Sequence, residues 1–224
     1  MGPDLVGRAR LGDLDRPLRV GITGAIGSGK TVFAEAFAAY PGVRRIDADR
    51  TGHEALRAGS PVLPAIVKRF GREILDEAGN VRRPVLAEKV FAAPARVEEL
   101  NAVVHPWLLA ALRRRIKRLN RVPGVAIVAV DAALLCEWGL SSEMDRVVVI
   151  EAPERMRRLW LERRGLSPAQ FEARAAAQWP PAAKRRAGHI IIRNNRTERE
   201  LRSAARRLAG LWSRALKTRR RRSK

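Results

Sequence analysis

Five short strand-like runs alternate with stretches of helical periodicity along the chain. Residues 18–23 (LRVGIT), 43–46, 125–130 (VAIVAV), 147–150 and 189–192 read as β-strands. VAIVAV has no polar position, which predicts a strand buried on both faces of a parallel sheet. A glycine cluster follows the first run at once. It leads into a helix from about Lys30 to Ala39, which Pro41 and Gly42 stop. Residues 50 to about 118 are helical in pattern, broken at Gly59-Ser60-Pro61, Gly71, Gly79-Asn80 and His105-Pro106, and read as an insertion between strands. Further helices are expected from Pro153 and from about Pro168. Thr197-Glu198-Arg199-Glu200 is a capping-box pattern. It opens a final helix that sets Leu201, Ala204, Leu208, Leu211 and Ala215 on one predicted inward face. Strands alternating with helices predict an α/β fold with a parallel sheet.

One local pattern turns this architecture into chemistry. Gly24-Ala25-Ile26-Gly27-Ser28-Gly29-Lys30-Thr31 fits G-x-x-x-x-G-K-[ST] between a strand and a helix, the context the phosphate-binding P-loop requires. Its glycines let the backbone curl so that N–H groups point at phosphate oxygens, with the positive end of the helix behind them. Lys30 then reaches the β- and γ-phosphates and the Thr31 hydroxyl holds Mg²⁺. The chain is thus expected to bind a nucleoside triphosphate. The full expectation is a three-layer P-loop NTPase sandwich with a five-stranded parallel sheet. Its parts are a leader (1–17), a nucleotide-binding core (18–49 and 120–212), a helical insertion (50–119), a helical lid (about 153–187) and a basic tail (213–224). No N-K-x-D for guanine and no L-S-G-G-Q are present, and a small P-loop kinase fits the length of 224 residues.

Charge adds an anionic partner. Lys and Arg number 45 against 23 Asp and Glu, and the seven basic residues of 213–224 leave 38 when set aside, so the excess runs through the body. The tail reads as a solvated, disordered end. Nucleic acid is disfavoured as the principal partner, because one Tyr, five Phe and five Trp give no regular aromatic interleaving for stacking. No run approaches the roughly 18 apolar residues of a membrane span. The N-terminal residues lack the apolar segment of a secretory signal. The single cysteine, Cys136, has no internal disulfide partner, which fits a reducing cytoplasm.

Carboxylates at strand ends supply the remaining candidates. Asp47 and Asp49 follow the second strand, and C-terminal strand ends form the ligand crevice of a doubly wound sheet. Asp49 is read as the base that orients an attacking hydroxyl, or alternatively as an Asx cap of the next helix, with Asp47 near the metal or its waters. Asp131 closes the VAIVAV strand and reads as the carboxylate that positions Mg²⁺ through water, or as ordinary strand-end turn chemistry. Arg155, Arg157, Arg158, Arg163 and Arg164 crowd one helix and its exit, and Arg163 or Arg164 is the expected lid arginine, with Gly165 as hinge.

Several segments in order resemble the dephospho-coenzyme A kinase family, from Arg19 to about Leu208. ITGAIGSGKT is similar to its P-loop, and IDADRTGHEAL to its D-A-D segment followed by a histidine. FGREIL, NVRRPVLAEKVF and LNAVVHPWL resemble its acceptor-side helices. DAALLCEWGL resembles its D-x-P-L-L-F-E segment, and Gln178, Lys184 and Asn194 fall in its Q-x5-K and closing Asn stretch. The resemblance implies transfer of the ATP γ-phosphate to the 3′-hydroxyl of dephospho-coenzyme A, the last step of coenzyme A synthesis, and favours Asp49 as base. It further implies Val32 and Asn194 at ATP, and Thr23, Asp47, His53, Arg83 and His105 at the acceptor. A P-loop kinase of another small acceptor, such as a nucleoside monophosphate or sugar acid, and a nucleic-acid-stimulated NTPase are the competing readings. The chain departs from the family pattern at Ala133, Cys136, Leu159, Gly188 and Arg193.

Overall fold

The computed structural model describes residues 15–222; all but the last three residues of the expected leader lie outside that range. In chain order the elements are β1 (Leu18–Gly24), α1 (Lys30–Ala38), β2 (Val43–Asp47), α2 (Ala48–Glu54), α3 (Leu63–Phe70), α4 (Arg83–Phe91) and α5 (Pro94–Leu119). They continue with β3 (Ile127–Asp131), β4 (Arg146–Glu151), α6 (Glu154–Glu162), α7 (Pro168–Ala176), α8 (Pro181–Ala187), β5 (Ile190–Arg193) and α9 (Glu198–Arg222). The described residues form two compact units, one of residues 15–46 with 116–222 and one of Asp47–Arg115.

The first unit is a five-stranded parallel sheet of order β2-β3-β1-β4-β5. Apolar side chains explain it. Val147, Val148, Val149 and Ile150 of β4 are all at most 1% exposed, so the strand is covered on both faces, as a continuous apolar run requires. On one face Phe33 and Phe37 of α1 meet Trp212 of α9, with Phe37 and Trp212 edge to face at 6.0 Å between centroids. The entry to β1 is pinned from its N-terminal side, where Arg16 grips Asp145 with two hydrogen bonds at 2.7 and 2.8 Å. Burial pushes the Asp145 carboxyl up, but the Arg16 guanidinium and the Arg19 N–H together bring it below its ordinary range.

α9 begins with the expected capping box: Thr197 Oγ1 accepts from Glu200 N–H, and the Glu200 carboxylate accepts from Thr197 N–H. Its inward face differs from the expected one. Leu201, Ala205, Leu208, Ala209, Trp212 and Leu216 are buried, whereas Leu211 and Ala215 are exposed. The reason is Trp212: its indole lies against Phe37 and rotates the buried arc past Leu211. The helix also continues to Arg222, so the basic stretch through that residue is helical rather than disordered.

In the second unit α3, α4 and part of α5 enclose a small core of Ile66, Phe70, Ile74, Leu86 and Val90. An antiparallel bridge between Leu75 and Val81 closes the turn at Gly79-Asn80.

Candidate active site

β1 delivers the chain into a loop that only glycines permit at two points. Gly29 has φ +90°, and a Cβ there would stand 2.5 Å from Asn194 Nδ2 and 2.9 Å from Leu201 Cδ2. Gly27 has φ +74°, with Leu161 and the Arg157 carbonyl pressed against it. Such positive φ angles put loop N–H groups on the inner side of the turn, the geometry of an anion cradle. The Ser28 hydroxyl is buried in this loop without a protein partner. A cavity of about 260 Å³ opens beside it, lined among others by Ala25, Ile150, Pro153, Arg157, Lys184 and Asn195.

Lys30, the first residue of α1, turns its ammonium to Asp131 Oδ1. Asp131 is the last residue of β3 and only 1% exposed. Arg45 completes the arrangement, donating to Asp131 Oδ2 from Nε at 3.0 Å and Nη2 at 2.6 Å. A buried carboxylate shared by two cations is no turn cap, which removes the strand-end reading of Asp131. Sequence reasoning missed Arg45, although it sits two residues before Asp47 on a strand, where period 2 puts both on the same side.

The expected positions separate into three groups. Thr31 is exposed and its hydroxyl open, beside Val32 in the first turn of α1. Two expected ATP- or acceptor-side residues make internal contacts. Asn194, 7% exposed, donates from Nδ2 to the Ser28 carbonyl at 2.9 Å and so braces the loop. Thr23 is fully buried, and its hydroxyl donates to the Ala133 carbonyl at 3.2 Å and so holds the chain after β3. Arg163 and Arg164 lie exposed at the end of α6, where neither side chain has an ion pair among the described residues. Arg157 instead touches the loop, donating to the Ile26 carbonyl at 3.1 Å while 5% exposed, with its Nε buried and unpartnered. Its burial lowers its pKa from the ordinary value. The arginine cluster was visible in the sequence; what singles out Arg157 is its burial and its bond to the loop, since the Phe171 ring is shared with Arg158, at 5.5 and 4.4 Å.

In the second unit Asp47 caps α2, accepting from the Arg50 N–H at 2.9 Å. The cap is therefore Asp47 and not Asp49, which stands exposed in the first turn of α2. His53, one turn on, is drawn below its ordinary pKa by burial and then by Arg83, against the opposing pull of Asp49 and Asp47. Four of the expected acceptor-side groups are thereby within electrostatic reach of one another. His105 sits mid-α5 just before Pro106, and burial alone lowers its pKa. Cys136 is 2% exposed with its thiol pushed up by burial, which makes it a poor nucleophile.

Comparison with known proteins decides the family. Residues 18–200 match the family model described as Dephospho-CoA kinase. The chain belongs to the dephospho-CoA kinase family. A curated dephospho-CoA kinase from Corynebacterium efficiens is 37% identical over 193 residues, covering 85% of this chain and 95% of its own length. A crystal structure from Thermus thermophilus aligns with TM-score 0.68 at 31% identity, covering 88% of this chain and 99% of that one. The dephospho-CoA kinase of Campylobacter jejuni has the same fold, with TM-score 0.64 at 24% identity over 85% of this chain and 94% of its own. Members of the family are phosphotransferases acting on a hydroxyl group, in coenzyme A biosynthesis. No helix among the described residues is long and apolar enough to cross a membrane.

Proposed function

We propose that the chain phosphorylates the 3′-hydroxyl of dephospho-coenzyme A from ATP, in the cytoplasm, with the loop from Gly24 to Thr31 holding the triphosphate. The observation that carries this reading is the Lys30–Asp131–Arg45 cluster at the mouth of that loop, within a chain matched by the family model. An ammonium resting on a buried carboxylate is poised to exchange one anion for another. When phosphate arrives, Lys30 moves onto it, and Asp131 is kept in place by Arg45.

Mg²⁺ fits the residues present. Thr31 offers an open hydroxyl and Asp131 a carboxylate, hard oxygen donors of the kind this ion takes in small number when phosphates and waters complete its shell. Bound there, it would supply positive charge to offset that of the phosphates. Arg157 holds the loop in shape, and its unpartnered Nε remains a donor for phosphate. Arg163 and Arg164 act from the exposed end of α6, when the α6–α7 hairpin closes.

On the acceptor side Asp49 orients the hydroxyl and takes its proton. One feature supports that role: β2, which leads directly into the segment carrying Asp49, ends at the same edge of the parallel sheet from which the phosphate loop springs. Arg83 provides positive charge, and His53 and His105, which burial favours in the neutral form, provide hydrogen-bonding groups for an acceptor that itself carries phosphates.

A coupled assay with ATP, Mg²⁺ and dephospho-coenzyme A, with phosphorus NMR of the product, tests the reading. A product bearing phosphate at the ribose 3′ position is expected. Faster phosphorylation of a nucleoside monophosphate or sugar acid overturns it, and so does ATP hydrolysis that RNA or DNA stimulates with no transfer.

A further inference from the structure

The segment following α7 closes on the phosphate loop through one side chain. Gln178 Oε1 accepts from the Ile26 N–H at 2.9 Å, while Arg157 donates to the Ile26 carbonyl. Both polar groups of this loop residue are therefore held by side chains from residues 154–187. A carboxamide has two ends: with its oxygen on the loop, its NH₂ group keeps two donors. Gln178 is half-buried, and its Nε2 has no partner among the described residues.

The next residues are anchored with unusual care. The Trp179 N–H donates to Glu137 Oε1 at 2.7 Å. Glu137 pairs at 2.7 Å with the Nζ of Lys184, a lysine with no exposed surface. Lys184 Nζ also donates to the Ala133 carbonyl at 2.6 Å, the acceptor that Thr23 uses. A buried lysine and glutamate pair of this kind is seldom a stabiliser over apolar side chains of equal volume. What it does fix is the backbone directly after Gln178: the Trp179 N–H and, two residues further on, α8.

We propose that Gln178 is a phosphate-contacting residue of this kinase. Its oxygen stays on the Ile26 N–H, its NH₂ group donates to the terminal phosphoryl group of bound ATP, and Glu137 with Lys184 is the positioning pair that holds it there. The loop N–H that Gln178 covers is lost to phosphate, and the two donors of its NH₂ group replace it. Ordering the side chain before nucleotide arrives removes that entropic cost from binding and from the transition state. ADP, which lacks the terminal group, gains nothing from Gln178.

The inference rests on the kinase reading of the site, and its test separates the two. Gln178→Glu keeps an acceptor of the same length for the Ile26 N–H but swaps the donor end for a charged oxygen. Its melting temperature and ADP affinity are expected to match the wild type. Its ATP affinity relative to ADP, measured by calorimetry, should fall together with a turnover loss of at least about 100-fold, the scale of a lost oxyanion donor. Gln178→Ala, which loses both ends without adding charge, should lose less. A Glu variant as active as the wild type, or more active than the Ala variant, overturns the proposal. For the positioning pair, Glu137→Ala should lower kcat several-fold in the wild type and cost less than about twofold on the Gln178→Ala background. An equal cost in both backgrounds overturns that part. If the wild type failed to phosphorylate dephospho-coenzyme A while Gln178→Glu still lost its preference for ATP over ADP, the acceptor reading would fail and this inference would stand.

Discussion

Asp131→Asn removes the carboxylate that Lys30 and Arg45 share and leaves their two positive charges facing each other. Removing one partner of a buried ion pair costs about 3–5 kcal/mol. The Lys30 and Arg45 side chains keep 11% and 20% of their exposure against 1% for Asp131, so solvent relieves part of the cost and the lower end applies, about 3 kcal/mol. For a chain of this size each kcal/mol moves the melting temperature by about 2–4 °C, so a fall of about 6–12 °C is expected in scanning calorimetry. The ligand response should move the other way. In the wild type ATP must draw Lys30 off Asp131, whereas in the variant the ammonium has no counter-ion and the triphosphate supplies one. ATP without Mg²⁺ should therefore raise the melting temperature of the variant more than that of the wild type, while transfer activity with Mg²⁺ is lost. A variant melting within about 2 °C of the wild type, or showing the same response to ATP, would refute the exchange of Lys30 between the two anions.

Other outcomes follow from the same geometry. Arg157→Ala should cut kcat/KM for ATP by about 10²-fold or more by freeing the Ile26 carbonyl and removing a phosphate donor. Arg163→Ala and Arg164→Ala each should cost less, and the reverse order in steady-state kinetics would return the main lid role to the exposed pair. His189 Nδ1 accepts from the Val147 N–H at 3.1 Å, and burial followed by Arg146 lowers its pKa from the ordinary value near 6.5. His53 and His105 are lowered as well. A folded state that prefers neutral histidine binds fewer protons than the unfolded chain below pH 6.5, so stability is fully present above that pH and declines as the solution is acidified through the folded pKa values. Urea midpoints at pH 8, 7, 6 and 5 should decline across the last two points, and His189→Asn should flatten part of that decline. Phe37→Ala, emptying the contact with Trp212, should cost about 3–5 kcal/mol in the same urea experiment without altering the KM for ATP.

What was legible in the chain was what neighbours in sequence decide. The VAIVAV run, the capping box at Thr197 and the strand-to-helix context of the phosphate loop each lie within a few residues and appear in place. The expected Asx cap was a matter of two residues: the cap needs a β-region backbone, and Asp47 at the end of β2 has it while Asp49 is already helical. α8 was hidden because Pro180-Pro181 reads as a break, although a proline at the first helical position starts a helix without loss. The largest gap lies in contacts across the chain. Nothing local distinguishes buried Lys184 from solvated Arg185 and Arg186 beside it; its partner Glu137 is 47 positions away, counted by residue number. Arg45 and Asp131, or Gln178 and Ile26, are pairs of the same kind.

Asp49 is the residue proposed to prepare the acceptor hydroxyl for in-line attack on a phosphate held by the loop of residues 24–31. Single-turnover transfer by Asp49→Asn, with ATP affinity measured on the same sample, tests this most directly. The account predicts unchanged ATP affinity and a transfer rate lower by about 10²–10⁴-fold. Transfer near the wild-type rate would contradict it.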